Sequence, residues 1–312
     1  MKSDYTIYKN QSHVGWNKAI FPVMAIEGGA VVTFETLDAS GDQIHPHSTV
    51  SDVASMDFSK VNPVTGPVYV DGAEPGDALK LTILDFAPSG WGWTAIIPGF
   101  GLLANRFDKP ALHIWNYDPK TLEPAEYGPG GRVPLKPFPG TIGLAPDEEG
   151  EQSVVNPRRV GGNMDTRDIS VGTVLFLPVE VPGALLSVGD VHAAQGDGEV
   201  CGTAIESPMD VTVKIELEKD VHLRFPRFTT PGPVTREIDS KGYEVTMGIS
   251  PDLMESAVYA VNNMVDFISD NYRMSPEEAY MLCSVCGSLR ISEIVDAPNW
   301  IVSYYFPKAV FE

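Results

Sequence analysis

The sequence predicts a mainly β protein whose helices gather after about residue 250. Gly and Pro account for 29 and 26 of its 312 residues without a repeat period, which implies many turns and short strands. Segments of alternating polarity, such as VTVKIEL (211–217), recur up to about residue 235. Beyond Ser250, apolar residues return every three or four positions, which is helical spacing.

VVTFETL (31–37) is β-branched and aromatic and reads as a strand, followed by the turn-rich loop DASGDQIHPHS (38–48). VYV (68–70) and ALKLTILDF (78–86) read as strands joined by GAEPGD, where Pro presets φ and Gly admits positive φ. Residues 88–143 mix Gly, Pro and aromatics and predict short strands in an irregular region. Residues 144–163 predict a long exposed loop, of the kind that often carries function. Further strands are expected in TVLFLPVEV (173–181), ALLSV (184–188), VCGTAIE (200–206) and MDVTVKIELEK (209–219). A helix opens at Ser250-Pro251, with Met254, Ala257, Val258, Val261, Met264, Val265 and Ile268 at helical spacing. Ser275-Pro276-Glu277-Glu278 is a capping-box pattern for a second helix through about Cys286. IVSYYF (301–306) predicts a late strand. The chain is expected to form one unit, with a β-rich part (1–235) and an α+β part (236–312) packed on it.

Composition narrows the function. Asp and Glu number 42 against 22 Lys and Arg, a formal charge of −20 with no basic run, which argues against nucleic acid and anionic membrane as partners. No stretch approaches the ~18 apolar residues of a membrane-spanning helix. MKSDYTIYKNQSH at the N-terminus lacks a signal-peptide core, and three cysteines are too few and too odd for a disulfide framework. A cytoplasmic protein with reduced thiols is expected.

The densest chemistry lies in GDVHAAQGDGEV (189–200). Asp190 and His192, two apart in a strand, share a face and form a two-ligand clamp. Carboxylate oxygen with imidazole nitrogen suits zinc, manganese or iron. Gly196 and Gly198 permit a tight turn flanked by Asp197 and Glu199, and a carboxylate beside a metal serves as base for bound water. Asp165, behind the Gly-Gly of GGNMDTRD (161–168), is either a further ligand or a partner orienting His192. Asp38 is a further carboxylate or a turn-starting Asp, and Glu206 reaches the site or marks a strand end. The structural alternative is a hairpin with an acidic tip. His45-Pro46-His47 is a weaker metal pair with nothing nearby to complete it. Cys283 and Cys286 share a helix face and read as core, and Cys201 reads as a packed thiol.

NPVTGPVYVDGAEPGD (62–77), WGWTAIIPGFGLLA (91–104), GTIGLAP (140–146), GGNMDTRD (161–168) and LPVEVPGALLSVGDVHAAQGDGEVCGTAIE (177–206) together resemble blocks of the acetamidase/formamidase family. The resemblance implies a CUB-like jelly-roll β-sandwich with added α+β elements. It also implies hydrolysis of a non-peptide C–N bond in a small neutral amide, with a divalent metal, zinc ahead of calcium or manganese. The family's acidic and histidine positions fall on Asp38, Asp165, Asp190, His192, Asp197, Glu199 and Glu206. The expected division has Asp190, His192 and Asp38 or Asp165 holding metal and Glu199 carrying the proton. Asp197, Glu206 and Gln195 would orient ligands or bind the amide. Trp91, Trp93 and Phe100 are candidate pocket walls. A homodimer or higher symmetric oligomer is the default assembly. The rival readings are a hydrolase of another amide or a lactam, a non-catalytic metal-stabilised sandwich, and a cysteine amidase using Cys201.

Overall fold

Alternating apolar strands give two six-stranded sheets in a computed structural model that describes residues 2–311. The first orders Tyr5–Ile7, Val31–Phe34, Met209–Glu218, Ala78–Pro88, Val174–Pro178 and Arg227–Thr229. The second orders Gly161–Asn163, Phe138–Gly143, Leu186–His192, Val64–Val70 and Ser12–His13, with Met24–Ile26 parallel to Val64–Val70. Val32, Leu81, Val213 and Leu177 of the first sheet share one buried core with Val68, Ile142, Leu186 and Val188 of the second. The molecule is therefore a β-sandwich, with side chains alternating into the common core.

Every residue of Leu186–His192 is buried, because sheet neighbours flank it on both edges and Leu186, Val188 and Val191 pack into the common core. VCGTAIE is not a strand: residues 199–202 form a turn with Gly202 at φ 86°, and only Glu206 bridges to neighbouring chain, at His192 and Trp93. A turn there delivers polar side chains inward that a regular strand would send alternately outward.

Both helices form at the predicted spacing, but the first starts later than Ser250-Pro251, because Ser250 ends the strand Tyr243–Ser250. Leu253–Tyr272 is capped by Asp252, which accepts from the Glu255 amide. Pro276–Cys286 has its capping box at Ser275 and Glu278. Tyr243–Ser250, Trp300–Pro307 and Ser288–Glu293 form a three-stranded antiparallel sheet against the longer helix. The shorter helix is stitched to the segment after His192. Ser284 Oγ donates to the Thr203 carbonyl (2.7 Å) and accepts from the Cys201 amide (3.1 Å), while the Gly196 amide donates to the Ser284 carbonyl (2.8 Å). The C-terminal part thus supports the polar loop. No helix among the described residues is long and apolar enough to cross a membrane.

Candidate active site

Asp190 and His192 converge, by a different route from simple strand alternation. Asp190 sits at φ 51° inside its strand, a left-handed conformation that is uncommon for a non-glycine residue. Asp165 (φ 46°) and Glu199 (φ 41°) adopt the same region. Three strained acids in one place mark a constrained site, since such conformations persist only where the surroundings enforce them. His192 Nε2 lies 3.2 Å from Asp190 Oδ1 and 3.1 Å from Glu206 Oε2. Ligand atoms of Asp165, Asp190 and His192 all lie within 4.8 Å of one another, as do those of His192, Glu199 and Glu206.

Gln195 sets the state of the imidazole. Its Nε2 donates to the Asp165 carbonyl (2.7 Å), so Oε1 faces His192 Nδ1 at 2.9 Å and accepts from it. With Nδ1 donating to Gln195, Nε2 is the nitrogen turned to the Asp190 and Glu206 carboxylates: protonated it donates to them, and deprotonated it offers its lone pair to a cation. Phe138 packs edge-on against the ring at 5.0 Å. Gly140 makes the crowding possible: a Cβ there would stand 2.6 Å from His192 Cε1 and 2.7 Å from Asp165 Oδ1.

The acids are not equally satisfied. Asp190 Oδ2 accepts from Thr141 Oγ1 (3.2 Å) and Asn62 Nδ2 (3.3 Å). Glu206 Oε1 accepts from the Ala204 amide (2.8 Å), but its Oε2 and Asp165 Oδ1 are buried without a hydrogen-bond donor. Burial, then the Asp190 charge, pushes Asp165 up to about 8. Burial raises Glu206 to about 7 against the pull of His192. Burial and Asp165 hold Glu199 well above the usual carboxylate range. Burial disfavours charge on His192 as well, but the Glu206 and Asp190 carboxylates outweigh it and raise the imidazole well above its ordinary value. The same imidazole overcomes burial at Asp190 and lowers it.

The cluster opens on a cleft of about 680 Å³. Asp165, Asp190, Glu199 and Glu206 line one part, and Trp93 and Phe100 are among the apolar walls. Trp91 lines a separate groove.

Two expected participants lie apart from the cluster. Asp38 is buried, but its Oδ1 accepts from the Ser40 amide (2.9 Å), Ser40 Oγ (2.5 Å) and Trp93 Nε1 (2.9 Å), and its Oδ2 from the Asp42 amide (3.2 Å). These bonds fold the 38–42 turn and fix the Trp93 indole, which leaves Asp38 as a support rather than a ligand. Asp197 turns to Arg167 (3.1 Å), with its side chain 46% exposed. That pair ties the Asp165 segment to the Glu199 turn. His45 and His47 stay exposed on their loop. Cys283 and Cys286 are buried in the shorter helix, and burial pushes both thiols up. Cys201 is buried too, its thiol raised, which disfavours the nucleophilic thiolate.

Asn62, Thr141, Gly140 and the Ala204 amide are absent from the sequence-based candidates. The one signal for them is the glycine-rich GTIG within a buried strand, a mark of close approach by other groups.

A β-sandwich with an acid–imidazole cluster at the floor of an apolar cleft defines a hydrolase-like site. The model of the acetamidase/formamidase family matches residues 2–154 and 147–312. The chain is 27% identical to a formamidase of Methylophilus methylotrophus, over 97% of this chain and 90% of that protein. It is 28% identical to an acetamidase of Mycolicibacterium smegmatis over 66% of each. Among solved structures, an acetamidase from Bacillus halodurans is 35% identical with a TM-score of 0.68, covering 97% of both chains. A gamma lactamase from Delftia acidovorans is 27% identical with a TM-score of 0.91, covering 99% of this chain and 93% of that one. The chain belongs to the acetamidase/formamidase family, amidohydrolases of non-peptide C–N bonds.

Proposed function

We propose that the chain is a metal-dependent hydrolase of small linear amides, yielding a carboxylate and ammonia. The observation that carries this reading is the convergence of buried carboxylates from Asp165, Asp190 and Glu206 on His192 Nε2, with Asp165 Oδ1 and Glu206 Oε2 left without a hydrogen bond. Four acids around one imidazole repel one another, and a divalent cation relieves that charge. The donor set of two carboxylates and one imidazole, from Asp165, Asp190 and His192, suits zinc or manganese better than calcium, which prefers oxygen alone. Such an ion supplies a water acidified toward a pKa of about 7 and polarises the amide carbonyl.

This chain's residues do the rest. Gln195 keeps the His192 proton on Nδ1. Thr141 and Asn62 orient the Asp190 carboxylate by donating to Oδ2. Glu199 lines the cleft beside the cluster and is the proton carrier: its carboxylate takes a proton from the attacking water and returns it to the leaving nitrogen. Glu206, held at Oε1 by the Ala204 amide, keeps Oε2 toward the same space. The apolar walls exclude bulk water.

The likeness to a lactamase at a TM-score of 0.91 supports a second reading, opening of a cyclic amide at the same site. Purified protein is incubated with formamide, acetamide and 2-pyrrolidinone, following ammonia for the first two and primary amine for the third. Ammonia release lost on chelation and restored by zinc or manganese is expected. Ring opening without ammonia release would transfer the assignment to lactams, and full activity after complete metal removal would overturn the metal-dependent reading.

A further inference from the structure

We infer that the preferred substrate is a neutral primary amide carrying an apolar group of about five or more carbon atoms, a class larger than formamide or acetamide. The inference rests on the amide-hydrolase reading of the site. Size is the first ground. Acetamide occupies about 90 Å³, roughly three waters' share of liquid volume, whereas the cleft offers about 680 Å³. That is the scale of sites that enclose ligands of many heavy atoms.

The second ground is how the walls are divided. The acids gather in one part, while Met56, Val61, Ile97, Phe100, Leu102 and Met164 make most of the remaining wall apolar, interrupted by Asn156, Asn163 and Thr203. An amide group seated at the floor projects its substituent along these walls. Phe100, packed against Gly202, is 46% exposed at the cleft, and an aromatic left in water there gains by covering a ligand.

The third ground is charge. Among the described residues no Lys or Arg lines the cleft, so a carboxylate on the substrate would find acids, apolar walls and a few neutral polar side chains but no cationic side chain to pair with. The chain's formal charge of −20 also disfavours the approach of anions. The substituent is therefore uncharged as well as apolar.

The test measures kcat/KM of the purified holoprotein for formamide, acetamide, butanamide, hexanamide and benzamide, with succinamate against pentanamide as the charge control. Each buried methylene is worth about 0.8 kcal/mol, roughly fourfold. Hexanamide and benzamide are expected to exceed acetamide by at least about tenfold, and pentanamide to exceed succinamate by a similar factor. Phe100→Ala should lower the hexanamide-to-acetamide ratio severalfold, and a ratio within one variant is insensitive to its folded fraction. Acetamide equal to or better than hexanamide and benzamide would overturn the inference while leaving the amidase reading intact. Succinamate matching pentanamide would overturn its charge requirement. Hydrolysis of none of these amides would overturn both the inference and the reading beneath it.

Discussion

Two buried acidic regions meet at Trp93. On one side the indole Nε1 donates to Asp38 (2.9 Å), while on the other the Trp93 backbone pairs with Glu206 through N–H to carbonyl bonds of 2.9 and 2.8 Å. Asp38 and Glu206 are almost equally buried, at 2% and 3% exposed. Asp38 has donors on both oxygens, whereas Glu206 keeps one oxygen without any. A satisfied buried carboxylate shapes the chain around it. An unsatisfied one costs free energy in isolation and persists where something else binds it. Burial alone would not have separated these residues; the account of their donors does.

The comparison can be broken most severely at Glu199, the proposed proton carrier. Glu199→Gln removes the titrating oxygen and keeps the shape, and kcat for the best amide should fall by about 10²- to 10⁴-fold while bound metal is retained. Normal turnover in that variant would place the base elsewhere. Gln195→Ala frees the His192 tautomer, and a loss of about 10- to 100-fold in metal affinity or activity is expected. Metal titration of the apoprotein distinguishes this from simple destabilisation. On the satisfied side, Asp38→Asn replaces an accepting oxygen with an NH2 donor that faces existing donors. It should lower stability by about 1–3 kcal/mol in urea unfolding, with turnover falling only as far as Trp93 shifts.

The smallest effect concerns a third acid, Asp77, 3% exposed and also fully served. Its Oδ2 accepts from Lys219 Nζ (2.6 Å) and the Glu74 amide (2.9 Å), and its Oδ1 from the Asp220 amide (3.0 Å). Burial acts to raise its pKa, but these donors together lower it below the ordinary value. Its contribution to stability is thus complete above the unfolded value near 4 and lost as pH falls through the lower folded value. Asp77→Asn should flatten the acid limb of stability against pH below about 4, and an unchanged limb would contradict this role.

Much of the scaffold was legible because it depends on local pattern. The capping box at Ser275 and the spacing from Met254 to Ile268 locate both helices, and alternation locates Met209–Glu218 and Ala78–Pro88. The strand Ser288–Glu293 was not foreseen, since it forms by pairing with Trp300–Pro307 across a loop. The site was half legible. Asp190, His192, Gln195 and Glu199 stand close in sequence and in space, but nothing in the local sequence singles out Asp190 and Glu199 for the left-handed backbone that aims them. Residue type alone suggests Asp38 as a ligand and Asp197 as an orienting or amide-binding residue. Their partners, Trp93 and Arg167, lie 55 and 30 residues away and are set by tertiary packing. Thr141 and Asn62 are unremarkable in sequence, and their link to the site, donation to Asp190, appears only in the folded chain.

The most direct measurement is the divalent metal content of wild type, Asp190→Ala and Asp38→Asn, each purified under the same conditions. The account predicts near-stoichiometric metal in wild type and Asp38→Asn and almost none in folded Asp190→Ala. Metal retained by Asp190→Ala and lost from Asp38→Asn would contradict it.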